Sequence, residues 1–175
     1  IFEVIRPGSR AAVAASATGN IGVIATQGTV QSGAYLRALQ AAGIEKVLQQ
    51  ACPKFVPLVE RGRDDGPEVD AAVAEYLRPL RDGGIDTLVF GCTHYPILRT
   101  PIARFLGDGV TLIDPAEPTT DDVQALFGPL PAVCTTEPQR HRFFCSGDPD
   151  SLRQVGERLL GFPPGQIEQV NVPVE

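Results

Sequence analysis

A short apolar run that leads into a polar turn and then into a helical pattern recurs in this sequence. It limits the possible folds more than any other feature. The clearest copy has a β-rich run at residues 20–26, a polar turn at 27–29 and a helical pattern over 32–42. A strand, a turn and a helix in this order form the unit of parallel sheets. The pattern therefore predicts an α/β fold.

The same unit recurs up to about residue 115. The sequence predicts strands at 46–52, 85–90 and 110–114, a helix over 68–82 and another between Pro96 and Leu106. Three or four such units indicate a parallel sheet with helices on both faces.

The two ends of the chain do not follow this repeated pattern. Over the first ten residues, apolar side chains alternate with Glu3 and Arg6, and we expect a turn at Pro7 and Gly8. The elements predicted after residue 115 are helices at 120–127 and 149–160 and strands at 142–145 and 167–172.

Charge and hydropathy exclude several classes of partner. The chain has 15 basic and 21 acidic side chains, which gives a formal net charge of −6. Sequence-independent binding to nucleic acid or to an anionic membrane needs a basic face, so we expect neither partner. No apolar run approaches the roughly 18 residues that span a bilayer.

The cysteines do not form a metal-binding pattern. They are Cys52, Cys92, Cys134 and Cys145. No pair has the spacing of a zinc motif, and His94 and His141 do not complete one, so we expect no metal. A chain of this length does not need disulfides, which favours a cytoplasmic location. Apart from Cys92, we expect the thiols to be small buried hydrophobes and His141 to lie at the surface.

Polar groups follow two of the predicted strands, where open parallel sheets bind their ligands. The first group, Thr26 to Thr29, offers hydroxyls and loop N–H groups that suit a carboxylate without any basic residue. The alternative is a helix cap and turn that uses Thr29 or Ser32.

The second group lies between Gly91, which permits a sharp turn, and Pro96, which suits the start of a helix. It contains Cys92, Thr93 and His94. A thiol acts as base or nucleophile in its thiolate form, which a nearby imidazole or helix N-terminus stabilises. A Cys-x-His sequence also arises by chance, so the motif alone leaves both interpretations open.

The segment VFGCTHYPIL, at residues 89–98, resembles the carboxyl-half motif of the glutamate racemases in the aspartate/glutamate racemase superfamily. Further stretches that resemble this family lie at 4–13, 22–35, 51–62 and 143–161. The resemblance covers nearly the whole chain. It implies flavodoxin-like α/β domains with the substrate between two of them, no cofactor and a homodimer of the full-length protein.

The implied reaction interconverts L- and D-glutamate and supplies D-glutamate for peptidoglycan. Inversion at carbon needs a base and an acid on opposite faces, and in this family a cysteine from each domain fills these roles. Carried over by position, Cys92 would be the base that acts on L-glutamate and His94 would assist its proton movement. Glu60 would support the histidine; the alternative is a solvated carboxylate at a strand end beside Arg61. The implied substrate-binding residues are Thr26, Thr29 and Thr93.

The sequence also departs from the family pattern. The Asp-Ser pair and the Cys-Asn-Thr motif expected in the first domain do not appear, and Cys134 with its two threonines lies in the wrong region. We therefore expect about 100 residues to be absent at the amino end. Residues 1–115 would form the carboxyl-half racemase domain, and 116–175 would complete the absent one.

Three alternatives stay open. The first is an aspartate racemase or a related isomerase. The second is a hydrolase with Cys92 as nucleophile, and the third is an inactive fragment that needs a second chain.

Overall fold

A computed structural model describes residues 2–128, 142–160 and 165–172, with only the backbone of 159 and 160. Its main sheet has four parallel strands in the order β2-β1-β3-β4. These strands are β1 (Ile21–Ala25), β2 (Val47–Ala51), β3 (Thr87–Gly91) and β4 (Thr111–Ile113). The predicted α/β fold with a parallel sheet is confirmed.

Helices connect the strands in the order expected for repeated βα units. They are α1 (Ile5–Ala15), α2 (Gln27–Ser32), α3 (Ala34–Ala41), α4 (Phe55–Glu60), α5 (Pro67–Asp82), α6 (Arg99–Leu106), α7 (Ala116–Phe127) and α8 (Pro149–Leu160), with a 3₁₀ turn at Tyr95–Leu98. In the described part of the chain, no helix is both long enough and apolar enough to cross a membrane.

The sheet is buried on both faces, which explains why β1 reads as a continuous apolar run. Helices α1 and α3 cover one face, and α5 and α6 cover the other. Alternate residues of β3 separate the two cores: Val89 joins the α1/α3 side, whereas Leu88 and Phe90 join the α5/α6 side.

The strand order creates a switch point between β1 and β3. The connection that leaves β1 leads to β2 on one side, and the next connection crosses back to β3 on the other side. Ala25 is in register with Ala51 and with Gly91, so the three strands end at one level. Open α/β sheets bind ligands at such a point, outside the carboxyl ends of the strands.

The expected turn at Pro7 and Gly8 is wrong, because both residues lie in the helix α1, Ile5–Ala15. The Glu3 carboxylate accepts hydrogen bonds from the backbone N–H of Ile5 at 2.6 Å and of Arg6 at 3.1 Å. Pro7 lies in the first turn, where a missing N–H breaks no helical bond. Gly8 packs on Pro115, whose Cβ would be 2.8 Å from an added Cβ.

Two predicted helices have different bounds. The helix expected over 32–42 is α3, and the expected polar turn at 27–29 is instead the start of α2, which ends where Gly33 adopts a left-handed conformation with φ of 62°. The helix expected from residue 120 begins at Ala116, whose N–H donates to the Asp114 carboxylate at 3.0 Å.

The described chain divides into two compact units. The first contains the main sheet and extends through α7, which packs on α1 through the Arg10–Asp122 ion pair of 2.6 Å. The predicted division after residue 115 concerns a longer protein and stays a prediction.

The second unit contains Glu60–Gly62 and the described residues from 142 onward. In it, β5 (Phe143–Cys145) pairs in parallel with β6 (Ile167–Gln169), with α8 between them in sequence. Cys134 and His141 lie outside the described residues.

Candidate active site

Three strand tips meet at the carboxyl edge of the sheet. Thr26, Cys52 and Cys92 each follow directly after the registered ends of β1, β2 and β3. The backbone N–H of Cys52 donates to the Ala25 carbonyl at 3.0 Å, which continues the pairing one residue beyond the strand. The sequence-predicted groups at Thr26 and Cys92 are therefore neighbours at the switch point.

Gly91 is needed where the backbone of β3 turns towards Cys92. A Cβ added there would lie 2.9 Å from the Ala25 Cβ, 2.9 Å from the Ile24 carbonyl oxygen and 3.1 Å from Tyr35 Cε2. Contacts under 3.0 Å with backbone cannot relax by a side-chain rotation. Glycine therefore lets the strand tip approach its neighbour closely.

Cys92 is half-buried, and its Sγ lies 4.0 Å from His94 Nδ1. Burial raises the pKa of the Cys92 thiol, while hydrogen bonds from the backbone N–H groups of His94 and Tyr95 oppose this rise. The thiolate thus has two fixed donors and an imidazole within reach, a combination that suits proton transfer at sulfur.

Tyr95 fixes the turn that carries Cys92. Its ring is fully buried, stacks edge-on against Phe55 at 5.2 Å and donates a hydrogen bond of 3.0 Å from its hydroxyl to the Cys52 carbonyl. The loops after β2 and β3 are therefore joined through one side chain.

The predicted hydroxyl group at Thr26 forms a helix cap. Thr26 Oγ1 accepts from the Thr29 N–H at 3.4 Å and shares a hydrogen bond of 2.9 Å with the Thr29 hydroxyl. Both side chains are half-buried, and Thr93 is exposed. A helix cap is present, as the alternative expected, but the capping residue is Thr26 rather than Thr29 or Ser32. The substrate-binding roles of the three threonines stay predictions.

Glu60 is the last residue of α4 and is exposed. The alternative of an exposed carboxylate at a strand end is wrong only in the element, because residues 55–60 are helical. Its predicted support of His94 stays a prediction.

Cys52 has no exposed surface, and burial, with a smaller contribution from Cys92, raises its pKa far above the usual range of a thiol. Such a group does not ionise near neutral pH, as expected of a structural cysteine. Among the described residues, no group of three or more His, Cys, Asp or Glu side chains is placed to hold a metal ion.

A family model described as Asp/Glu/Hydantoin racemase matches residues 4–122, which include every strand tip of this site. The chain belongs to the Asp/Glu/hydantoin racemase family. Among curated relatives, the glutamate racemase of Desulforudis audaxviator is 45% identical over 97% of this chain and 65% of that protein.

Solved structures of family members agree with this fold. A glutamate racemase isoform from Bacillus anthracis superposes with a TM-score of 0.86 and 38% identity, over 99% of this chain and 65% of that one. The glutamate racemase of Francisella tularensis, solved in complex with D-glutamate, gives a TM-score of 0.78 at 32% identity, over 98% of this chain and 63% of that one. The chain thus spans about two thirds of the length of these racemases.

Sequence reasoning missed one residue beside the site of this racemase-family chain. Tyr35, the second residue of α3, is 2% exposed and packs its ring against Gly91. Burial raises the pKa of its phenol to about 12, with smaller contributions from Glu3, Asp114 and Cys92. In the sequence, Tyr35 is one position of the helical pattern predicted over 32–42. A tyrosine on a buried helix face also brings a hydroxyl that needs a partner.

Proposed function

We propose that this chain takes part in the cofactor-independent interconversion of L-glutamate and D-glutamate. The proposal rests above all on the placement of Cys92. Its thiol follows β3 at the switch point of the sheet, with two backbone N–H donors at the sulfur and His94 Nδ1 at 4.0 Å. The relatives named glutamate racemases, at 45% identity and below, support glutamate as the substrate.

In the proposed reaction, the Cys92 thiolate removes the α-proton of L-glutamate and becomes a thiol. The electron pair of the broken C–H bond stays on the substrate as a carbanion. A second cysteine thiol on the opposite face then donates its proton to the same carbon, which inverts the centre and leaves that cysteine as a thiolate. The reverse reaction exchanges the two roles, so both states of the protein are used.

The neighbouring residues have distinct proposed tasks. His94 accepts or returns the proton at Cys92, and Glu60 orients His94. Thr26, Thr29 and Thr93 bind the substrate with neutral hydroxyls. Fixed N–H and O–H dipoles of this kind stabilise developing negative charge without reorganising during the reaction.

The cellular setting is proposed from the family resemblance. The D-glutamate product would serve peptidoglycan synthesis in the cytoplasm, and the full-length protein would form a homodimer. Only Cys92 among the cysteines of this chain is proposed as a base. Cys52 is proposed to be structural, because it is fully buried.

Exchange of the substrate α-proton with solvent deuterium tests the proposal. We expect the purified full-length protein, which would supply the second cysteine, to wash the α-proton out of L-glutamate in D₂O, as followed by NMR, and Cys92→Ser to slow this exchange by at least a hundredfold. Cys52→Ser is the matched control and should retain the exchange in whatever fraction of it folds.

Other outcomes would contradict the proposal. Equal exchange by the Cys92→Ser protein would remove Cys92 as the base. Faster exchange of aspartate than of glutamate would favour the aspartate racemase, and a covalent acyl adduct on Cys92 by mass spectrometry would favour a hydrolase.

A further inference from the structure

A groove runs between helices α1 and α3 on one face of the sheet. It has a volume of about 530 Å³, and its lining residues recur at the three- and four-residue spacing that places side chains on one face of a helix. The residues that matter below are Arg6, Ser9, Arg10 and Val13 of α1 and Ala38 and Ala41 of α3. None of the groove-lining residues belongs to the strand-tip site, so the groove is a separate feature of the molecule.

Ser9 lines this groove and carries a hydroxyl without a partner. The residue is 3% exposed, and its Oγ forms no hydrogen bond in the part of the chain that the structure describes. A buried hydroxyl that is left unsatisfied costs free energy, so its presence needs an explanation. Alanine would fill the same helical position with a higher helix propensity and no polar atom to satisfy. A ligand in the groove would supply the missing hydrogen-bond partner.

The charge at the rim of the groove is positive. Its charged lining residues are both arginines, and no described Asp or Glu lines it. The Arg10 guanidinium donates to the Asp122 carboxylate of α7 at 2.6 Å, which neutralises its charge. The Arg6 guanidinium lies 3.9 Å from the Glu3 carboxylate, too far for a hydrogen bond, and that carboxylate accepts from two backbone N–H groups. Arg6 therefore keeps its N–H donors for a ligand.

The walls of the groove are apolar. Val13 and Ala38 are half-buried, and the methyl groups of Ala38 and Ala41 leave room between the two helices. A hydrocarbon body fits such walls and gains free energy when its surface leaves water. A hydroxyl and a guanidinium together suit a carboxylate, whose two oxygens only accept hydrogen bonds. A dianionic phosphate would meet a single available arginine and apolar walls, so it suits the groove less well.

We propose that the α1/α3 groove is a second binding site, which takes a small carboxylic acid with an apolar body in its carboxylate form. The carboxylate accepts hydrogen bonds from the Ser9 hydroxyl and the Arg6 guanidinium. The hydrocarbon part lies against Val13 and Ala38. This site is independent of the proton transfer proposed at Cys92, because the two share no residue.

Binding of 4-fluorobenzoate to the full-length protein tests the site. The ¹⁹F line width of this probe is measured at increasing protein concentration, with and without excess glutamate. We expect a Kd of about 1 mM that glutamate does not change. The neutral 4-fluorobenzamide has the same shape without the charge and should bind about tenfold more weakly.

Three variants examine the polar contacts. Arg6→Gln and Ser9→Ala should each raise the Kd of 4-fluorobenzoate about tenfold, as for one lost hydrogen bond to a charged group. Arg78→Gln is the matched control, because it removes one charge from α5 on the opposite face of the sheet, and should change the Kd less than about twofold. Ser9→Ala should also raise the Tm of the unliganded protein, because it removes an unsatisfied buried hydroxyl.

A fourth variant examines the apolar walls. Ala38→Leu places a larger side chain in the groove and should abolish binding of both probes while circular dichroism shows an unchanged fold. Arg6 is exposed, so Arg6→Gln keeps the test decisive if Ser9→Ala or Ala38→Leu does not fold.

Several results would overturn the inference and leave the proposed function untouched. They are displacement of 4-fluorobenzoate by glutamate, equal binding of the two probes, and a Kd that Arg6→Gln leaves unchanged. A lower Tm for Ser9→Ala together with an unchanged Kd would show that Ser9 is structural and would contradict its contact with the ligand.

Discussion

At the two ends of strand β3, burial and hydrogen bonding have opposite net effects on the pKa of a polar group. At the amino end, the Asp86 carboxylate accepts hydrogen bonds from the hydroxyls of Ser16 at 2.6 Å, Thr18 at 2.8 Å and Thr87 at 3.0 Å, and from the Thr18 N–H at 2.7 Å. Burial alone would raise the pKa of Asp86, but these bonds outweigh it and hold the pKa far below its usual value.

At the carboxyl end, the balance is reversed. Burial of Cys92 outweighs the backbone hydrogen bonds to its sulfur and raises the thiol pKa. The amino end thus stabilises the fold through its charged hydrogen bonds, while the carboxyl end holds a half-buried, neutral thiol at the strand tips. Five residues of one strand separate these two arrangements.

The largest expected effect tests whether the carboxyl end is as tightly packed as the amino end. Gly91→Ala should lower the free energy of unfolding by about 3 kcal/mol, because its Cβ would meet the backbone of β1. Urea denaturation followed by circular dichroism measures the change. Gly28→Ala is the control: nothing lies within 4 Å of that Cβ, and alanine favours its helix. Equal stability of the two variants would show that the backbone at the end of β3 shifts to admit a Cβ at little cost in free energy.

The next effect concerns the amino end. Asp86→Asn should lower the free energy of unfolding by about 1–2 kcal/mol at pH 7, because it removes a charged acceptor of four hydrogen bonds. Asp82→Asn, at an exposed ion pair with Arg81, should change it by less than about 0.5 kcal/mol.

The difference in unfolding free energy between the unaltered protein and Asp86→Asn should depend on pH with a definite sign. The pKa of Asp86 in the folded state lies below the ordinary 3.8, so its contribution is complete above about pH 4 and is lost as the pH falls through the folded pKa. The gap between the unaltered protein and Asp86→Asn should therefore narrow from pH 5 to pH 2. A gap that widens in acid would contradict this account.

The smallest effect separates capping from binding at the carboxyl end. Thr26→Ala should lower the free energy of unfolding by about 1 kcal/mol, as expected for loss of an N-cap. Thr26→Ser keeps the capping oxygen and should lie within about 0.5 kcal/mol of the unaltered protein. If Thr26 also binds substrate, only the alanine variant should need more glutamate to protect Cys92 from alkylation.

Much of the fold could be predicted from local pattern. The strands β1 and β3 are apolar runs buried on both faces, and α5 carries apolar residues at helical spacing, so each was placed within a residue or two. The start of α1 could not be predicted in this way. Its helical form depends on the Glu3 carboxylate and on the packing of Gly8 against Pro115, more than 100 residues away in sequence.

The candidate site was predicted only in part, for a similar reason. Thr26 and Cys92 were recognised because each follows an apolar run, and parallel strands bring such positions to one edge. Tyr35 was missed because its importance depends on which strand end its ring covers. That relation follows from the packing of α3 on the sheet and leaves no local signal.

The hydrogen bond from Tyr95 to the Cys52 carbonyl has a mechanical consequence. It couples two loops that flank β1 on either side, through a ring wedged against Phe55. The Cys92 turn cannot move without breaking this bond or displacing the end of β2 and the core beneath α5. The two loops therefore move together. Cys92 is thereby held in a fixed position relative to the ends of β1 and β2.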